Sequence, residues 1–273
     1  MPVHAALAPF GAEMRRWRAE RRLSQLELAN IAGTTQRHLS FLESGRSRPG
    51  RELVVRLSES LGLTLRERNS LLLTAGFAPV YPESPLDGPL LRPVREAVDA
   101  VLAGHEPYPA VVVGRRGELV AANRGLGLLT EGADAALLTA PINLPRLLLH
   151  PDGLAPRVAN LGQWGRHVVE ALRGRARRSP DPQLDLLIDE LAGYLPPASS
   201  GRPATQPLGF AVPLRLLTGP VNSGHELRLI TTLTSFATAT DVTLAELHLE
   251  AFLPADAGTA DYFRNFESTL QHG

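Results

Sequence analysis

Residues Leu23 to Gly45, LSQLELANIAGTTQRHLSFLESG, leave the chain few choices, because they hold room for two short helices, one sharp turn and little else. Ser24 is a good N-cap and Glu27, three residues on, completes a capping box. The spacing therefore predicts a helix whose buried stripe draws on Leu26, Leu28, Ala29 and Ile31. Gly33 ends it, since a residue free to take positive φ can turn the chain sharply enough for Thr34 or Thr35 to start the next helix. That second helix turns Leu39 and Leu42 inward. Thr35, Gln36, Arg37, Ser40 and Phe41 are left on its other face, polar and donor-rich near the helix start, a composition suited to reading base edges in a DNA major groove.

The flanking sequence extends this pair into a five-helix, all-α unit over residues 1–75. A first helix is expected from Phe10 to Arg22, with Phe10, Met14 and Trp17 on its core side. Arg15, Arg16, Arg18, Arg21 and Arg22 fall largely on its other faces and read mostly as a solvated surface. Arg51 to Leu61 forms a fourth helix, ended by Gly62, and Thr64 to Ala75 a fifth, with Thr64 and Glu67 as a second capping box. Charge separates this unit from the rest. Between Phe10 and Ser70 the chain carries 12 Arg and 7 acids, 12 − 7 = +5; after Ser70 it carries 16 Arg and 21 acids, 16 − 21 = −5. A net charge of zero over the whole chain thus hides a basic first part, an asymmetry that points to nucleic acid. Every basic residue in the count is Arg, which reflects genome composition more than function.

The pattern SQxELAxxxGTTQxxLSxLExG resembles the helix-turn-helix of the phage-repressor or Xre-like family, a likeness covering about the first quarter of the chain. It implies that Gln25 bonds a DNA phosphate and that Thr35, Gln36, Arg37, Ser40 and Phe41 face the bases. Arg46 and Arg48, in the SGRSRPG loop that follows, would contact phosphate. The implied partner is double-stranded DNA. Half-sites one helical turn apart imply a homodimer, because a single short helix contacts too few base pairs for selectivity.

Residues 76–93 hold five prolines and read as a linker, and residues 94–273 as a second, α+β domain. A helix near Leu91 to Ala103 precedes AVVV, a Gly-containing turn and ELVAA, a hairpin, with Asn123 placed to cap the helix after it. Leu161, Trp164, Val168 and Leu172 form one helical stripe and Leu184, Leu187, Ile188 and Leu191 another. RGRARRSPDP lies between them, its Arg cluster reading as a helix C-terminus before a second DNA contact. GFAVPLRLLT, HELRLITTLTSFATA and TLAELHLEAFL alternate as strands, with Pro213 requiring an edge or a bulge. In the last of them Leu247, Leu249, Ala251 and Leu253 oppose Glu246, His248 and Glu250. The sum is a five-stranded antiparallel sheet with helices on one side, closed by an amphipathic helix of Tyr262, Phe263, Phe266 and Leu270.

Strand, turn, strand and helix resemble the entry of a PAS-type domain. With NLGQWGRHVVEALR, PQLDLLIDEL and the last three strands, the whole order resembles the MmyB-like regulators. That resemblance implies a ligand-binding domain with an apolar cavity for a small, fatty-acyl-like effector, and Trp164, His167, Phe210, Leu216, Leu229, Thr231 and Phe236 are the residues assigned to it. EGADAALLTAPINLPRLLLHPDG departs from the family's usual course after the Asn123 helix, so the cavity and its ligand are open to differ. The alternative is a second domain with a solid core that docks a protein and takes no small molecule.

Other chemistries find little support. GRRGELVAANRG is a hairpin and not a nucleotide loop, and no cofactor is expected. Histidines 150, 167, 225 and 248 lack metal-ligand spacing; His150 and Asp152 in HPDG read as a turn, and Ser199 and Ser200 as part of a loop, so no catalytic residue and no enzyme are expected. Zero cysteines exclude disulfides and thiolate metal sites. With no signal-peptide pattern and no run of 18 apolar residues, a cytoplasmic protein without membrane contact is expected.

Overall fold

Ser24 and Thr64 begin helices as their spacing predicts. In each case the side chain accepts a bond from the backbone N–H three residues on, while the Glu there reaches back. The computed structural model describes residues 9–197, 211–219, 224–236 and 238–271, without the side chains of 266–271. Its first five helices are α1 (Phe10–Glu20), α2 (Gln25–Ile31), α3 (Gln36–Glu43), α4 (Arg51–Ser60) and α5 (Leu65–Thr74). They bury Phe10, Met14, Trp17, Leu28, Leu39, Leu42, Val54, Leu57, Leu71 and Leu72 in one core. Helix α1 stops short of Arg22, which takes a φ of 55°.

One expectation fails here. Leu26 and Ile31 are 51% and 59% exposed, and the stripe that α2 buries is Leu28 and Ala29, with Ala32 at its C-cap. Over seven residues the helix makes barely two turns, and those three form one face. Leu26 and Ile31 fall roughly 100° to either side of it.

By their contacts, the described residues 9–85 and 238–245 form one unit, and 86–236 with 246–271 form another. The second contains α6 (Arg92–Ala103), β1 (Ala110–Val113), β2 (Leu119–Ala122), α7 (Leu126–Thr130), α8 (Leu144–Leu149), α9 (Leu161–Arg178), α10 (Pro182–Gly193), β3 (Leu214–Leu217) and β4 (Glu226–Ser235). The short α11 (Val242–Ala245) belongs to the first unit, and β5 (His248–Pro254) and α12 (Ala257–Gln271) complete the second. The sheet is five-stranded and antiparallel in the order β2-β1-β5-β4-β3. Pro213 precedes the edge strand β3. There Asn160 takes the place of a neighbour, donating to Pro213 O at 2.8 Å and accepting from Arg215 N at 3.0 Å, which shields an otherwise open edge.

Helices lie on both faces of the sheet and not on one. Register and alternation put Val111, Leu229, Thr231, Leu233, Glu250 and Phe252 on the face covered by α8, α9 and α10. Val112, Leu249 and Thr234 lie on the opposite face, where Val98 and Val101 of α6 meet them around a small pocket. Asn123 is likewise not a helix cap. It ties strand to helix end, accepting from Ala110 N and Gly125 N and donating to Leu102 O and Tyr108 O. No helix among the described residues is long and apolar enough to cross a membrane.

Candidate nucleic-acid interface and ligand cleft

Helix α3 is held from both ends. Thr35 caps its start, accepting from His38 N at 3.1 Å, and Gly33, at a φ of 63°, supplies the turn before it. At its far end Glu43 sits with only 1% of its side chain exposed, held by two bonds from Arg18 at 2.6 and 2.9 Å and one from Gln25 Nε2 at 2.8 Å. Burial alone would push this carboxyl up. The hydrogen bonds from Arg18 and Gln25 and the charges of Arg18 and Arg15 outweigh it, and its pKa lies below the ordinary carboxylate value. Gly11 lets α1 approach closely: a Cβ there would stand 2.6 Å from Leu42 O and 2.7 Å from Glu43 O.

What this frame presents outward is Thr35, Gln36 and Arg37, all exposed, with Ser40 and Phe41 half-buried beside them. The Arg37 guanidinium lies 5.4 Å from the centre of the Phe41 ring. Arg46 and Arg48 are exposed, and neither forms an ion pair among the described residues. Gln25 has its amide committed to Glu43, so the side chain implied to reach phosphate is also part of the scaffold.

Of the five arginines of α1 and its end, Arg15, Arg16 and Arg22 are exposed, as expected of most of them, and Arg18 and Arg21 are half-buried. Arg18, 16% exposed, binds Glu43; Arg21 donates to Leu61 O at 2.9 Å; Arg16 pairs with Glu13 and Glu20 and lies 4.1 Å over the Trp17 ring. The readable signal was Glu43 itself, an acid set on the stripe of Leu39 and Leu42.

In the second unit a cleft of about 320 Å³ opens between α9 and the sheet. Trp164, His167, Leu172 and Arg175 line it from α9, Leu148 from α8, and Thr231, Leu233, Glu250 and Phe252 from β4 and β5. Of the residues assigned to a cavity, Trp164, His167 and Thr231 are therefore on its wall. Leu216 and Leu229 are fully buried in the core and do not line it. Phe236 lines the smaller pocket, about 110 Å³, on the opposite sheet face, and Phe210 lies outside the described residues, as do Ser199 and Ser200.

Arg175 and Glu250 were not anticipated at the cleft. The Arg cluster does occupy the last turn of α9, but Arg175 is turned inward, where a 3.4 Å bond to Arg115 O is its single hydrogen bond among the described residues. Burial pulls its pKa below the ordinary arginine value; Glu250 and Glu118 oppose that and Arg178 adds to it. Glu250 has neither a hydrogen bond nor an ion pair within 4 Å among the described residues, and burial raises its pKa against the pull of Arg175. His248, two residues earlier on the same face, is lowered to about 4 by burial and by the charge of Arg175, and its Nδ1 is buried without a partner. Of the polar side of the central strand β5, Glu250 lines the cleft and His248 does not.

Elsewhere, His150 accepts from Asp152 N at 3.0 Å within a turn, and its ring packs on Tyr194. No three metal-binding side chains gather among the described residues.

Residues 14–68 match the helix-turn-helix family model, and residues 94–265, more than half of the chain, match the MmyB-like transcription regulator ligand binding domain. No relative was found among the curated proteins. Among solved structures, the clp gene regulator ClgR from C. glutamicum is 30% identical, over 24% of this chain and 83% of its own, with a TM-score of 0.22. A second crystal structure of ClgR, from Corynebacterium glutamicum, is 26% identical over 36% of this chain and 90% of its own, also with a TM-score of 0.22. An RNA-binding light-oxygen-voltage receptor is 14% identical over 96% of this chain and 65% of its own, with a TM-score of 0.29. Likeness at such TM-scores says nothing of function. The chain belongs to the MmyB-like transcription regulators, its DNA-binding helix-turn-helix unit followed by that family's ligand binding domain.

Proposed function

We propose that this regulator reads a specific DNA site as a homodimer and that a small apolar, fatty-acyl-like effector in the cleft changes its affinity for that site. In this reading α3 enters the major groove, with Thr35, Gln36, Arg37, Ser40 and Phe41 toward the bases. Gln25, Arg46 and Arg48 hold the phosphates. The observation that carries it is the contrast within α3: one face locked through Leu39, Leu42 and Glu43, the other exposed and polar at Gln36 and Arg37. The second unit is a PAS-like sensor, a reading supported by the strand order β2-β1-β5-β4-β3. A cleft of about 320 Å³ favours a small molecule over a solid docking module.

Chain connectivity offers a route between effector and DNA. The segment containing α11 belongs to the DNA-binding unit, where Asp241 accepts from Ser84 N at 3.1 Å and Val242 N donates to Pro82 O at 2.8 Å. It is also the connection between β4 and β5, the strands that carry Leu233 and Glu250 on the cleft wall. An effector that binds one arrangement of those strands better than another shifts the population of both units together.

The test is binding to a site selected from random DNA, compared with unselected DNA, across a salt series. Gln36→Ala is expected to cost about 1–3 kcal/mol on the selected site and little on unselected DNA. Arg46→Ala is expected to weaken both and to lower the salt slope by about 1. Equal losses on both DNAs for Gln36→Ala would remove the base-reading role.

A further inference from the structure

A fully apolar effector leaves the polar end of the cleft unexplained. Arg175 and Glu250 both line it, on opposite walls, one on α9 and one on β5. Neither is neutralised by close pairing among the described residues: they make no ion pair with each other within 4 Å, and Arg175 spends one long bond on Arg115 O. A half-buried carboxyl and a half-buried guanidinium left this way are incompletely matched by the protein alone. They favour whatever fills the space between them with matching donors and acceptors.

We infer that the effector has an apolar body ending in an uncharged amide-type head, whose carbonyl accepts from Arg175 and whose N–H donates to Glu250. The inference rests on the proposal that the cleft takes a small apolar molecule, and it names the chemistry of that molecule's end. With Glu250 ionised, the two walls are opposite in charge and the pair as a whole is neutral. An ionised head of either sign leaves one uncompensated charge in a low-dielectric cleft, and a neutral head with one acceptor and one donor leaves none. The remainder of the lining matches the apolar body: Leu148, Trp164, Leu172, Leu233 and Phe252.

The experiment measures binding of decanamide, decanoate and decylammonium to the full chain at pH 7.5, by calorimetry and by native mass spectrometry. Decanamide is expected to bind at least tenfold more tightly than either ion. In Glu250→Gln the cleft carries an unmatched positive charge and the preference is expected to move to decanoate. In Arg175→Gln it is expected to move to decylammonium. Decanoate binding the unaltered chain as tightly as decanamide, or an order of preference that neither substitution moves, would overturn the head assignment and leave the apolar cleft standing. If none of the three binds the folded chain, the effector reading falls as well. Circular dichroism of each variant identifies one that fails to fold, and the order of the three ligands on the unaltered chain then decides by itself.

Discussion

Glu43 is buried and Glu250 half-buried, and the two units treat these glutamates in opposite ways. In the first unit Glu43 is met by Arg18, Gln25 and Arg15, and its pKa falls below the ordinary carboxylate value. In the second, Glu250 lines one cleft with Arg175, the two form no ion pair within 4 Å, and burial raises the pKa of Glu250. A buried charge with its partners supplied from within is scaffold, and here it fixes the end of α3. A half-buried charge left without them marks a place where something from outside completes the set.

The largest effect is expected where the scaffold charge is orphaned. Arg18→Ala strips Glu43 of its bidentate partner and is expected to cost about 3–5 kcal/mol, the usual toll for leaving one member of a buried pair alone. Chemical denaturation of the full chain, followed at Trp17 fluorescence, checks it. A loss under about 1 kcal/mol would mean that the pair behaves as a surface bridge and that the comparison has no force.

A smaller effect separates the units by pH. Burial and the charge of Arg175 lower His248 to about 4 in the folded state, from the ordinary histidine value of 6.5. Between those values the unfolded chain binds more protons, so this group makes stability fall as pH drops from about 6.5 to about 4 and level off below. Glu250, raised by burial, has the reverse sign: its penalty is relieved as pH falls through its folded value. Arg175 bears on both groups and Glu246 on His248, and the charge of Arg175 stays constant through this range. His248→Gln is therefore expected to flatten or invert the acid slope of the melting temperature, read between pH 7 and pH 4.5. An unchanged slope would show that His248 is not lowered in this way.

The two regions also differed in how far they could be read from sequence. In the first, caps, turn and stripe are local, set by residues three or four apart, and the Ser24 and Thr64 boxes, the Gly33 turn and the inward Leu39 and Leu42 were all legible. The exposed Leu26 and Ile31 were not, because a helix of two turns supports more than one plausible stripe. In the second unit the decisive facts are long-range. Glu250 and His248 alternate with Leu249 and Ala251 like any half-exposed strand, and only the strand order makes β5 central and puts Glu250 on a cleft wall. Arg175 likewise sits in an Arg-rich helix end that reads as solvated until α9 is laid on the sheet. Trp164, His167 and Thr231 lie on the cleft wall, whereas Leu216 and Leu229, with the same alternation, fill the core beside it.

The contrast is tested most directly by melting Glu43→Gln and Glu250→Gln side by side in the full chain without added ligand, at pH 7.5. Removing the charge of Glu43 leaves Arg18 facing a weaker partner and is expected to lower the melting temperature. Removing that of Glu250 relieves a half-buried carboxylate without a partner among the described residues and is expected to leave the melting temperature unchanged or raise it. If Glu250→Gln lowers it as much as Glu43→Gln does, Glu250 belongs to the scaffold and the cleft has no charge waiting for a ligand.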